Sequence, residues 1–536
     1  MKRCPECRRD YYDDTLNFCL DDGAQLLDGP ALSDQYTVVM PGAPLETPTA
    51  LFDRGFEPAT AIYQAPSQPS ADIQNSIAVL PLVNMSADLE NEYFCDGLAE
   101  ELINALARVE GLKVVARTSA FSFKGKNFGI GQIASILNVS NIVEGSVRKF
   151  GDRMRISMQL VSAADGYHVW SEKYDTGMRD IFDVQDDITR SVVNALKLKI
   201  LGRESTENEK MAALIEELQH HARDVDAYQL YLRGKFLLNK FTTETSFRAL
   251  ECFTEAALID PKFAEAYAGI ANSNIVLTEM GPLTPKEAMP KAKEAALKAI
   301  SLNENLSEGH YALGLVLQDF DYDFGGAERE FRRAIELNHN NSQAHQFYGY
   351  MLAQLGRHDE AKHEFERAVQ VDPLSIVGHW LYGFGLFQAR KYDECIAQTQ
   401  KVLDIDPKFP TAFLSLSFAS HMKGRYEESV EHYARFRELI GSPETAELVR
   451  ASFKNGDWEG FLRMITNSDP TMHISHYIVA IAYAALGEKD NAINKLLDSY
   501  DAREPHIVMM MSDPRFDEIR KESEFQDLLK RVGFPV

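Results

Sequence analysis

Cys4, Cys7 and Cys19 fall within the first twenty residues of a 536-residue chain that contains only six cysteines. Cys4 and Cys7 have the C-x2-C spacing that lets one tight turn present two thiolates to a tetrahedral zinc ion. Cys19 follows, and Asp22 stands three places beyond it in the phrase C-L-D-D-G. This second half imitates another C-x2-C turn with a carboxylate in the last ligand slot. Gly23 falls where such a turn needs a positive φ. Asp21 competes for the ligand slot, but its spacing is wrong. The expectation is one structural Zn2+ held by Cys4, Cys7, Cys19 and Asp22. A catalytic zinc is disfavoured, because no histidine precedes His168 and no general base stands near.

The stretch resembles the short zinc ribbons of pattern CPxC…FCxxDG that open many bacterial multidomain proteins, with Asp22 in place of the fourth cysteine. Residues 1–28 are too few to bury a core, so metal binding, on the order of 10 kcal/mol in comparable modules, would have to hold them together. Lys2, Arg3, Arg8 and Arg9 give this module a small basic edge, but Asp10, Asp13, Asp14, Asp21 and Asp22 surround it.

Residues 29–74 are rich in Pro, Ala, Ser and Thr without sustained periodicity and read as a flexible linker. Thr37, Thr49 and Thr60 each precede a short apolar run. They are candidate phosphoacceptors or parts of short docking motifs, against the alternative of chance in a biased segment.

Composition narrows the function classes. Lys and Arg number 56 against 80 Asp and Glu, a formal charge of -24 that repels phosphate backbones and makes nucleic-acid binding an unlikely role for most of the surface. No window approaches the ~20 apolar residues of a membrane span, and the N-terminus lacks the apolar core of a signal peptide. A cytoplasmic, non-membrane protein is expected.

From Ser76 the texture alternates. S-I-A-V-L-P-L-V reads as a buried strand, Tyr93–Val109 as a helix, Leu112–Arg117 as a strand and Ile130–Leu137 as a helix. N-I-V-E-G-S-V-R-K-F, R-M-R-I-S-M-Q-L-V and Y-H-V-W-S-E-K-Y-D follow as an antiparallel meander, and an amphipathic helix ends the segment. The order predicts a mixed α/β sheet. The phrases IAVLPLVNMS, EYFCDGLAEELINAL, VVARTSAFSFKGK and GYHVWSEKYD together resemble the TolB amino-terminal-like domain over residues 75–201. In that family the domain sits beside tetratricopeptide repeats and is joined to a winged helix, a nucleotide cyclase or a kinase. No such module is read in residues 1–74.

Catalytic motifs are sparse. G-I-G-Q-I-A (Gly129–Ala134) matches the dinucleotide fingerprint formally, but too many residues separate it from the strand at Val115 for the strand-to-helix turn that the fingerprint requires. No Walker loop, G-x-S-x-G, H-E-x-x-H or kinase signature occurs, so the chain is expected not to be an enzyme.

After a connecting segment, 202–224, the sequence repeats with a period of 34 between Pro373 and Pro407. Gly349, Gly356, Ala361, Phe365, Ala368 and Pro373 occupy the slots that define a tetratricopeptide repeat (TPR). Six units are expected over 225–441, with degenerate units and a capping helix over 442–536. The TPR resemblance implies a solenoid whose concave face, lined by the first helix of each repeat, grips a protein or peptide. In this register the groove presents Tyr350, Gln354, Trp380, Phe384, Phe387, Leu414, Phe418, His421 and Met422, against the alternative that some of these pack between repeats.

The predicted architecture is therefore multidomain: zinc ribbon, α/β domain with a mixed sheet, and all-α TPR solenoid. A non-enzymatic adaptor or scaffold in bacterial signalling or regulation fits it best. The alternative is a transcription regulator in which the ribbon or a partner contacts nucleic acid. A nucleotide-dependent enzyme stands third.

Overall fold

The computed structural model describes residues 2–3, 10–11 and 27–28, and then residues 75–535 apart from 87–90, 110, 151–152, 178–180, 201–223, 281, 469–471 and 473. The chain divides into two units, Met1–Gln64 and Ala65–Val536. In the first, β1 (Lys2–Arg3) pairs antiparallel with β2 (Asp10–Tyr11) on one side and β3 (Leu27–Asp28) on the other. Cys4, Cys7, Cys19, Asp22, Thr37, Thr49 and Thr60 lie outside the described residues.

The second unit opens with a mixed sheet. β4 (Ser76–Val79) is buried at every position and runs parallel to both β6 (Lys113–Val114) and β7 (Asn141–Phe150), while β5 (Val83–Asn84) adds to β7. Burial on both faces explains why this strand reads as an unbroken apolar run. β7, β8 (Arg153–Ser162) and β9 (His168–Gly177) form the antiparallel part. Met154, Ile156, Met158 and Leu160 alternate into the core, and Arg155 on the other face pairs with Asp175 at 2.7 Å. Helix α1 (Glu92–Ala107) buries Leu98, Leu102 and Leu106 at helical spacing. A short α2 (Arg117–Phe121), absent from the sequence reading, precedes α3 (Ile130–Leu137). Gly129 caps α3, its N–H donating to Gln132 Oε1 at 3.0 Å, well after β6 has ended. The glycine pair thus serves helix entry. Helix α4 (Ile181–Ile200) buries Ile188, Val192 and Leu196 against the sheet core.

Six antiparallel helix pairs follow. They are α5 (Val225–Leu238) with α6 (Thr243–Ile259), α7 (Ala264–Glu279) with α8 (Pro285–Leu302), and α9 (Ser307–Val316) with α10 (Phe324–Leu337). Then come α11 (Ser342–Gln354) with α12 (His358–Val371), α13 (Ile376–Gln388) with α14 (Tyr392–Ile405), and α15 (Pro410–Met422) with α16 (Tyr426–Leu439). Small-against-large packing builds each pair. A Cβ on Gly234 or Gly269 would stand 2.7 or 2.6 Å from the Phe253 ring, and one on Gly349 would stand 3.1 Å from that of Phe365. The glycines therefore let neighbouring helices close over a buried phenylalanine.

The seventh unit is α17 (Pro443–Thr466), bent where Asp457 takes a positive φ of 50°. The eighth is α18 (His476–Ala485) with α19 (Lys489–Asp501). Beyond α19 the chain makes two 3-10 turns, Pro505–Met509 and Pro514–Phe516, and then α20 (Ser523–Arg531). No helix among the described residues is long and apolar enough to cross a membrane.

Candidate functional site

The aromatic residues expected to line the solenoid's groove form one continuous ladder on the first helices of successive repeats. The Tyr350 and Phe384 rings are 6.3 Å apart, as are Trp380 and Phe384; Phe384 stacks on Phe387 at 5.8 Å, and Phe387 lies 6.0 Å from Phe418. Trp380 donates from Nε1 to Ser415 Oγ at 3.1 Å, bridging two repeats.

The ladder is not an open groove at its C-terminal end, which corrects the sequence expectation. The segment after α19 folds back over the first helices. Ser512 accepts from Gln388 Nε2 at 2.8 Å, and the Arg515 guanidinium lies 3.8 Å from the Phe418 ring centre and 5.3 Å from that of Phe387. Arg503 donates to the Phe320 carbonyl at 2.6 Å, and Phe534 stacks on Phe324 at 4.9 Å, so the segment reaches back to the third repeat. Phe384 and Phe387 are 5% and 1% exposed as a result, and Gln354 is fully buried. Tyr350, Trp380, Leu414, Phe418, His421 and Met422 remain half-buried. His421 packs 4.8 Å from Trp458; burial, with the Arg515 charge nearby, pushes its imidazole down to about 4, so it is neutral near pH 7.

A displaceable lid does not explain this arrangement. Ile507, Val508, Met510, Phe516, Ile519 and Phe525 are each at most 1% exposed. At roughly 1.5–3 kcal/mol per buried side chain, uncovering six of them would cost about 10 kcal/mol or more. The segment is part of the core.

Towards the N-terminal repeats stand two carboxylates, Glu279 and Asp319, that sequence reasoning missed. Glu279 ends α7, and Asp319 lies in a π-helical turn, Leu317–Asp321, that continues α9. Gly314 and Phe331 are one residue further apart than the equivalent Gly349 and Phe365, and the π turn absorbs the extra residue. Protein crowds Glu279, although it remains solvent-accessible, and pushes its carboxyl up to about 7. Asp319 is pushed up to about 8, first by burial and then by the Glu279 charge. The Tyr311 and Tyr350 hydroxyls are raised by burial and by the same two carboxylates. Asp321, in contrast, is paired with Lys293 at 2.6 Å. The signal in the sequence was the interrupted repeat spacing, whose consequence depends on the π turn.

The α/β domain is seated on the solenoid by specific contacts. Leu232 of α5 fills the space over Gly97 of α1, where a Cβ would stand 2.7 Å from its Cδ2. Lys235 lies 3.0 Å from both Glu100 and Glu101. Asn340, between α10 and α11, donates to the Ala107 and Leu112 carbonyls at 3.0 and 3.2 Å. Asp372 accepts from Ser119 Oγ at 2.5 Å, and Ala116 donates its N–H to the Val371 carbonyl at 3.0 Å. Burial pushes the Asp372 carboxyl up to about 6, against the lowering effect of the Ser119 and Thr118 hydroxyls. No group of three or more His, Cys, Asp or Glu suited to a metal occurs among the described residues.

Residues 73–191 match the family described as HilA/YgeH-like transcriptional regulator, second domain, and residues 342–373 match the tetratricopeptide repeat. The first match overlaps most of the stretch, 75–201, expected to be a TolB amino-terminal-like domain. Over 269 residues the chain is 37% identical to "Putative adenylate cyclase 3" of Rhizobium meliloti (strain 1021), covering 49% of this chain and 43% of that protein. Over 137 residues it is 30% identical to the transcriptional regulator HilA of Salmonella paratyphi A (strain ATCC 9150 / SARB42), covering 26% of this chain and 25% of that one. The chain thus spans less than half the length of these curated relatives. It is also similar to the crystal structure of YrrB, a TPR protein with an unusual peptide-binding site, at 26% identity over 37% of this chain and 92% of that one, with a TM-score of 0.26. The C-terminal region is a TPR-type helical solenoid, and the region before it holds a small mixed sheet and matches a regulator domain.

Proposed function

We propose that the protein is a non-enzymatic adaptor in bacterial regulation, in which the TPR solenoid recruits a protein partner and the α/β domain moves with it as one body. The observation that carries this reading is the seat itself. Asn340 and Asp372, both in turns between repeats, make buried hydrogen bonds to the α/β domain. A partner held by the solenoid is thereby placed at a fixed position relative to a regulator-type domain. Tyr350 and the partly exposed Trp380 would contribute contact surface, with Phe384 and Phe387 supporting them from beneath. The zinc ribbon, with Zn2+ on Cys4, Cys7, Cys19 and Asp22, would be carried on the linker, where Thr37, Thr49 and Thr60 are available to a kinase. A cytoplasmic location belongs to the same reading.

The second reading, a transcription regulator, draws on the HilA-like match over 73–191. The net charge of -24 argues that any nucleic-acid contact is made by a partner rather than by this surface. Affinity capture from bacterial cells with the full chain, compared with a Trp380→Ala, Tyr350→Ala chain, tests the adaptor reading. A partner captured by the parent and lost from a still-folded variant supports it; identical captures from both remove the groove from the reading. Fluorescence anisotropy with duplex DNA, with and without the captured partner, tests the second.

A further inference from the structure

We propose that the open half of the sheet's outer face, where Met85 and Phe150 stand beside Arg148 and Arg153, docks a short acidic and apolar segment of a partner protein. The inference goes beyond the adaptor reading, which gives the α/β domain no partner contact of its own.

The two faces of the sheet are covered unequally. One face packs on α1 and α4. On the other, α3 packs on Ala78, Leu80 and Ile142, at the β4 end. Strand register lays out the rest of that second face in three rows. Val83 lies beside Ser146, which opposes Ser157, and Ser157 opposes Lys173. In the next row Met85 donates its N–H to the Val147 carbonyl at 2.8 Å, which sets it beside Arg148. Arg148 opposes Arg155, and Arg155 opposes Asp175. In the last row Phe150 opposes Arg153.

Two features of this grid are costly in the chain alone. Val83, Met85 and Phe150 are 60%, 52% and 89% exposed. Single exposed apolar side chains are ordinary, but three on one sheet face, where polar residues normally stand, make a patch of the kind that partners cover. Arg148 and Arg155 are also like charges in direct cross-strand register, which destabilises a sheet. Arg155 is paired with Asp175 at 2.7 Å, and the charges of Arg153 and Lys173 reach the same carboxylate. Arg148, Arg153 and Lys173 form no ion pair of their own among the described residues. Even counting Asp152 of the hairpin turn, four cations share this surface with two carboxylates. The patch is therefore basic on a chain whose net charge is -24.

Charge and size together select the occupant. Four strands about 4.8 Å apart and three rows two residues apart span about 14 by 13 Å. That accommodates about five residues of extended chain and is far below the ~800 Å² per side of a standard domain interface. A duplex, charged every ~1.7 Å along its axis, would extend past the patch onto acidic surface and leave Val83 and Met85 without an apolar contact. A second copy brings its own charge of -24 and is repelled as a whole. A short segment stays within the patch, and its few charges are screened from the rest of the chain over about 8 Å. Its carboxylates meet Arg148 and Arg153, and its apolar side chains cover Met85 and Phe150. Arg, Phe and Met are also residue types enriched where proteins meet.

The experiment uses the full chain and an array of eight-residue peptides that vary acidic, basic and apolar content independently. One array-selected peptide, labelled with fluorescein, is then titrated by anisotropy. The expected result is a preference for acidic peptides with apolar residues, and affinity that falls as salt rises from about 0.05 to about 0.5 M. Arg148→Gln with Arg153→Gln, and separately Phe150→Ser, should each weaken binding about tenfold with melting not lowered, since all three positions are exposed. The Trp380→Ala, Tyr350→Ala chain should bind the peptide as the parent does. No peptide binding, no acidic preference, or binding that both face variants leave intact overturns the inference. Binding lost instead from the Trp380→Ala, Tyr350→Ala chain moves the peptide to the solenoid and also overturns it. Labelled duplex DNA held by the parent and released by the double arginine variant would assign the face to nucleic acid. Self-association abolished by Phe150→Ser would assign it to a second copy. Either outcome overturns the peptide assignment and leaves the adaptor reading of the solenoid standing.

Discussion

Arg515 lies face-on to Phe418, with its guanidinium 3.8 Å from the ring centre and the same group forked onto Asp513 at 2.8 and 2.6 Å. Asp513 also accepts from the Tyr477 hydroxyl at 3.0 Å. Burial pushes the Asp513 carboxyl up, but the Arg515 charge and its hydrogen bonds outweigh that, and the net shift is downward. One ion pair therefore joins the last repeats and the C-terminal segment to the middle of the solenoid.

Removing one member of that pair should be severe. The Arg515 and Asp513 side chains are 2% and 1% exposed, so Asp513→Ala leaves a guanidinium buried and unpaired. The expected loss is about 3–5 kcal/mol, read from chemical unfolding. Replacing both residues by methionine should cost much less than the single change, because no buried charge then remains. An Asp513→Ala loss within about 0.5 kcal/mol of zero, the size of an ordinary surface change, would show that water reaches the pair.

Within the aromatic ladder, burial separates two outcomes. Phe387, 1% exposed, should behave as core, and Phe387→Ala should lower stability by about 3–5 kcal/mol. Trp380 is half-buried and should cost less on truncation while weakening partner capture more. Measuring melting and capture on both variants checks the order; equal losses of stability would place Trp380 in the core too.

The seat of the α/β domain predicts a local effect. Ser119→Ala removes the donor to Asp372, and the Leu374 N–H that donates to Ser119 Oγ at 2.8 Å loses its acceptor as well. A penalty of about 1–3 kcal/mol is expected. Hydrogen exchange should quicken at α2 and at the turn after α12 while α14 to α16 stay protected. Uniform exchange throughout would mean that the seat is not a separable interface.

These contacts mark the limit of what the sequence could reveal. The period of 34 was legible because each repeat needs a small residue over a buried aromatic, as with Gly349 and Phe365, and both lie within one or two helices of chain. β4 was legible from its unbroken apolar run. After Arg503 a capping helix was legible and the two turns before it were not, because 3-10 turns carry no helical or strand period. The turn that holds Ile507 and Val508 packs on α19 and also on the distant turn Leu317–Asp321, and that second face has no counterpart in the local sequence. The same holds for Asp319, whose carboxyl feels the charge of Glu279 from two helices earlier in the chain. The zinc motif is the opposite case: its ligand spacing is wholly local, and metal analysis of the full chain should find one zinc, lost on Cys4→Ser and held more tightly on Asp22→Cys.

The raised carboxyl of Asp319 makes a last demand on stability itself. A carboxyl whose folded pKa is raised binds more protons in the folded chain than in the unfolded one between its ordinary value and the raised one. Its contribution is therefore fully present at low pH and is lost as pH rises, here from about 4 up through about 8 for Asp319. The whole-chain profile mixes this with opposite effects, since His421 is pushed down to about 4 and destabilises the fold as pH falls below its ordinary range. Comparing the parent with Asp319→Asn isolates this one group. The variant should melt higher than the parent at pH 9, where the parent must hold two charges together, and the difference should shrink steadily towards pH 5, where both are neutral there. A difference that stays constant across that range would mean that the Asp319 charge is already compensated in the folded chain.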